Sequence, residues 1–179
     1  MTMKLLRFIV VALVFAQAAF GGPPIACKWI AVPGSLFESL EPLREGAMQA
    51  DDSPAQKRAA LARLAVLRTA IQPGDALSLV KAGFWAATMH DVGVAPDMDG
   101  PQLILRAVSL RPDDPEYHVF AALAHMTTDP ALFRNHWERA RVLSGRGSAT
   151  ERNLKVIQNI YGASFPALFS SQNVAPVRK

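Results

Sequence analysis

The sequence predicts an all-α protein built from antiparallel helical hairpins stacked as a short solenoid, and three observations predict it. The string Arg106-Ala107-Val108-Ser109-Leu110 is echoed 33 residues later by Arg139-Ala140-Arg141-Val142-Leu143. A capping side chain followed by proline recurs at Ser53-Pro54, Asp114-Pro115 and Asp129-Pro130, and this pair of residues opens a helix because the first helical N–H has no partner to lose. Helix-ending residues stand at Pro73-Gly74, Pro112 and Gly145. A repeat of this period argues for stacked helix pairs, since each pair needs a neighbour to cover its apolar face.

Of 179 residues, 50% are hydrophobic and 19% charged, which excludes disorder throughout and provides for one domain with an apolar interior. Residues 1–18 read as a secretory signal. Lys4 and Arg7 precede the apolar run Phe8 to Phe20, and Ala16-Gln17-Ala18 sets small residues where a signal peptidase reads, with cleavage after Ala18 or Ala19. The run is shorter than the roughly 20 residues that span a bilayer core. The expected location is therefore outside the cytoplasm, periplasmic or secreted. Cys27 is the only cysteine, so no intramolecular disulfide is possible. Ala26 before it raises lipid attachment, but Pro24 stands where such signals carry leucine, and a free thiol is the simpler reading. An envelope lipoprotein anchored at Cys27 is the alternative, and membrane contact is expected only through that lipid or an uncleaved signal.

The chain in order reads as follows. Residues 19–34 are an irregular lead-in whose Trp29, Ile30 and Val32 are candidates to tuck against the first helices. Ser35 to Glu38 is a capping box, and Pro42 then implies a short or kinked helix. Ser53-Pro54 opens a second helix with Leu61, Leu64, Ala65 and Arg68 on successive turns and Lys57, Arg58 and Arg63 toward water. A third runs from Asp75 to about His90 with Leu77, Val80, Phe84 and Trp85 on neighbouring turns. Asp91 to Gly100 crowds glycine, proline and aspartate and reads as a loop. The fourth helix starts at Pro101 and ends near Leu110; Asp114-Pro115 and Asp129-Pro130 open the fifth and sixth; Ser148 to Glu151 is a second capping box that opens a seventh, ending at Tyr161-Gly162. Residues 35–162 form the expected repeat domain. Residues 163–179 form a tail in which Phe165, Leu168 and Phe169 dock over the last helix.

With Pro73, Pro112 and Gly145 aligned as unit ends, the pattern resembles tetratricopeptide repeats over about residues 55–161. Ala107 and Ala140 fall where that family places a small residue, Gly83 and Ala122 where it places glycine, and Trp137 at its aromatic position in the second helix. The chain departs from the pattern at His118 and His125, which stand where Trp and Tyr are usual, at Ala121 for leucine and at Phe133 for alanine. The unit from Pro73 to Pro112 is 39 residues, with the Asp91 to Gly100 loop taking up the excess. The resemblance implies a concave surface lined by the first helix of each pair. Its candidate protein contacts are Lys81, Trp85, Glu116 and Tyr117.

No motif of a hydrolase elbow, zinc protease or phosphate loop is present. His118 and His125 share a helix face, but seven residues of helix rise about 10 Å, too far for one ion, and packing is the reading for both. The remaining metal candidates are His90, Asp97 and Asp99. Counting an EF-hand loop so that Gly100 is its sixth residue puts Arg106 at the twelfth, which defeats the pattern, and Asp99 reads more simply as a helix cap. Charge is uneven: residues 75–130 carry three basic and eight acidic side chains, residues 131–179 eight and two. Export argues against nucleic acid as the partner of that basic end, which reads as a solvated surface. The expectation is a non-catalytic, exported protein-interaction or assembly module with a protein partner and no cofactor; a metal-binding or enzymatic domain using the Asp91 to Gly100 loop is the other alternative.

Overall fold

Helix boundaries follow the capping residues. The computed structural model describes residues 28–48, 53–91 and 97–170; the expected signal, Cys27 and residues 171–179 lie outside them. The described residues hold eight helices and no strand: α1 Leu36–Met48, α2 Pro54–Thr69, α3 Ala76–Asp91, α4 Gly100–Leu110, α5 Pro115–His125, α6 Pro130–Leu143, α7 Ala149–Tyr161 and α8 Pro166–Phe169. The protein is all-α. No helix among the described residues is long and apolar enough to cross a membrane.

Each predicted cap is made. Ser53 accepts from Gln56 N, Asp99 from Gln102 N, Asp114 from Glu116 N, Asp129 from Ala131 N and Leu132 N, and Ser148 from Glu151 N. Each satisfies a backbone N–H that the helix itself leaves unpaired. The two capping boxes share a further device. Glu38 and Glu151 reach past the cap to accept from Gly34 N and Gly147 N, at 2.7 and 2.5 Å. Both glycines have positive φ, 79° and 72°, a conformation that favours glycine.

α3 is the central helix. Leu79, Val80, Ala82, Phe84, Trp85, Ala86 and Met89 are all buried, covering most of its circumference, and it packs against α1, α2, α4 and α5. Its closest partner is α4, where Gly83 meets Gly100. A Cβ on Gly83 would lie 2.7 Å from the Gly100 carbonyl oxygen, and one on Gly100 would lie 2.5 Å from Ala87 N. α5 and α6 form an equally extensive contact, α4 packs on α5, and α7 rests on α5 and α6. Ala107, Ala122 and Ala140 are fully buried.

One expectation is corrected below. α1 runs for 13 residues with Pro42 inside it, where the ring costs a backbone hydrogen bond while Leu36, Phe37, Leu40, Leu43 and Ala47 are buried. Leu61 is exposed rather than packed; α2 buries only Ala60 and Leu64. In the short α8 and the residue before it, Phe165 packs against Tyr161 of α7, Leu168 is buried, and Phe169 packs edge-on against Phe133 and Trp137 of α6.

Candidate functional site

The odd-numbered helices α1, α3, α5 and α7 together hold residues 28–34, which have no helical or strand structure of their own. Trp29 inserts among Phe37 of α1, Phe84 of α3 and Phe120 of α5, with ring centroids 5.8, 5.7 and 5.4 Å away. Tilted and edge-on geometry of this kind is the favoured one for aromatic rings. The Arg44 guanidinium lies 5.5 Å from the Trp29 ring and pairs with Glu41. Trp29 is 6% exposed, and its buried indole Nε1 has no hydrogen-bond acceptor among the described residues.

Asn153 of α7 grips the next residue by its main chain. Its Oδ1 accepts from Ile30 N at 2.6 Å and its Nδ2 donates to Ile30 O at 3.0 Å. The amide is fully buried and has exchanged water for the main chain of Ile30. Glu116, at the start of α5, accepts from Leu36 N at 2.5 Å through Oε2 and from the Thr150 hydroxyl at 3.4 Å through Oε1. One carboxylate thus joins the N-termini of α1, α5 and α7. Burial raises the Glu116 pKa, opposed by the Leu36 N–H: desolvation disfavours the anion and the hydrogen bond supports it.

A second polar cluster lies between α5 and α6. His118 Nδ1 faces His136 Nδ1 at 2.9 Å, and His118 Nε2 sits 2.9 Å from Pro112 O. The carbonyl can only accept, so His118 donates to it from Nε2, and with both rings neutral the bridging proton comes from His136. Burial, then the nearby His118 and His125, lower the His136 pKa to about 4. His125, at the end of α5, is half-buried, and its Nε2 has no partner among the described residues; burial lowers its pKa, opposed by Asp129 and Asp99. A shallow open depression of about 510 Å³ lies beside Pro112, lined by Leu110 to Pro115.

The expected concave-face residues separate. Glu116 lies on the odd-helix face and Lys81 is half-buried. Trp85 and Tyr117 are not surface contacts: they are 1% and 6% exposed. Trp85 is turned toward α2, donating from Nε1 to Ala60 O at 3.0 Å, with the Arg63 guanidinium 5.4 Å from its ring. The metal candidates are not brought together. His90 is exposed on the last turn of α3, Asp97 pairs with Arg68 of α2, and Asp99 caps α4. Among the described residues no group of three or more His, Cys, Asp or Glu converges as for a metal ion.

Asn153 and His136 were not among the sequence candidates. Asn153 had a signal: it is a polar residue inside the stripe Thr150, Leu154, Ile157, Tyr161 that α7 buries. His136 had none, because its partner depends on the register of α5 on α6. Comparison with protein-family models, curated proteins and solved structures finds no match for this chain.

Proposed function

We propose that this chain is an exported, non-catalytic protein-interaction or assembly module of tetratricopeptide-like helix pairs. The pairing of α3 with α4 and of α5 with α6, the close approach at Gly83, and the buried Ala107 and Ala140 at the small-residue positions are in keeping with that reading. The observation that carries it is the odd-helix face, which holds the main chain of Ile30 through Asn153 and the aromatic ring of Trp29 through Phe37, Phe84 and Phe120. Main-chain hydrogen bonds with a side-chain pocket alongside are how proteins hold peptides.

The basic end supports a solvated surface more than a binding patch. Arg139, Arg141 and Lys155 pair with Asp113, Glu138 and Glu151, exposed pairs of the kind that add little stability. The test is a crosslinking pull-down with the full chain from native envelope material. A protein enriched over a charge-matched control is expected; no enrichment removes the reading.

A further inference from the structure

Residues 28–32 sit on the odd-helix face as a ligand sits on a receptor. Only the Trp29 side chain is buried; Lys28, Ile30 and Ala31 are exposed, Ile30 by 40%. Asn153 reads the N–H and C=O of Ile30, groups that any residue but proline offers. The walls of the Trp29 site come from three separate helices, and Phe37 and Phe84 also pack directly against Phe120, with ring centroids 5.1 and 5.8 Å away.

Resting on the interaction reading above, we propose that residues 28–32 close, in cis, a site for an extended peptide bearing one aromatic side chain. Among the described residues the buried Trp29 Nε1 meets no acceptor, which is a mismatch between this occupant and the site. A peptide carrying phenylalanine at the anchor position lacks that mismatch and displaces the segment. The tether gives the segment an effective concentration on the order of millimolar, which keeps the site shut until such a peptide arrives.

The test uses the full chain with Trp29→Ala and fluorescein-labelled peptides of residues 28–34, carrying tryptophan, phenylalanine or alanine at the anchor, read by fluorescence anisotropy. The opened variant binds the aromatic peptides at least about tenfold more tightly than the natural chain does, the phenylalanine peptide most tightly. The alanine peptide does not bind, and adding Asn153→Ala abolishes the gain. Equal affinity of variant and natural chain, or binding of the alanine peptide, overturns the proposal. Trp29→Leu serves if Trp29→Ala does not fold; loss of fold in both makes Trp29 a core residue and also overturns it. A natural-chain dimer that Trp29→Ala dissolves, seen by sedimentation, would place the segment in a neighbouring copy and contradict closure in cis. Peptide binding without a native partner leaves this site standing and removes the interaction reading. A captured partner without peptide binding does the reverse.

Discussion

Gly83→Ala sets two effects of opposite sign against each other. Replacing a mid-helix glycine by alanine stabilises a helix by about 0.8–1 kcal/mol. Here the new methyl would lie 2.7 Å from the Gly100 carbonyl oxygen, 3.1 Å from Ile104 N and 2.8 Å from Ile104 Cγ1. Two of those atoms are backbone, and the Ile104 side chain is fully buried, so α4 must move as a unit. Overpacking costs about 1–3 kcal/mol, and contact with two backbone atoms points to the upper end, leaving a net loss of about 2 kcal/mol. For a domain of this size that lowers Tm by roughly 4–8 °C. Gly74→Ala is the control, since nothing lies within 4 Å of its added Cβ. Urea unfolding followed by far-ultraviolet circular dichroism measures both. A Gly83→Ala protein as stable as the natural one, or more so, would refute the close α3–α4 packing.

Three further outcomes are expected. Asn153→Asp keeps the acceptor for Ile30 N but turns a carboxylate oxygen toward Ile30 O in a fully buried position, and should cost about 2–3 kcal/mol in urea melts at pH 7; a neutral result would mean the clamp is not formed. Because the His136 pKa is lowered from 6.5 to about 4 in the folded protein, the unfolded chain binds the proton first. Stability present above pH 6.5 is then lost as pH falls toward 4, by about 2 kcal/mol once solvent screening is allowed for, and His136→Gln should flatten that slope. Glu116 has the opposite sign: its raised pKa means the folded state is penalised as pH rises through the carboxylate range. Glu116→Gln, which can accept from Leu36 N and donate to the Thr150 hydroxyl, should be the more stable protein at pH 7, with the difference vanishing below pH 4; a less stable Gln variant at pH 7 would refute this account of the site.

Local signals carried much of the fold. Ser53, Asp99, Asp114, Asp129 and Ser148 each cap the helix assigned to them, because a cap is decided within four residues of sequence. Pro42 left the extent of α1 open, and the helix continues past it to Met48, held by contacts that its own sequence does not show. The aromatic content of Trp85 and Tyr117 marked them as important but not which way they face. Burial of Trp85 depends on α2 lying across it, and α2 has too narrow an apolar stripe to announce that contact. The candidate site was legible in half: Trp29 was expected to tuck against the first helices, while Asn153, which holds the adjacent Ile30, lies 123 residues from it, beyond the reach of any local pattern.

The account turns on whether residues 28–32 leave their face while the helices stay folded. Native-state hydrogen exchange at the Ile30 amide measures this directly. Exchange through a local opening is predicted, with little dependence on denaturant and a free energy well below that of core amides such as Phe84. If Ile30 exchanges only with global unfolding, at the same free energy and the same denaturant dependence as Phe84, the segment is part of the core and the closed-site account is wrong.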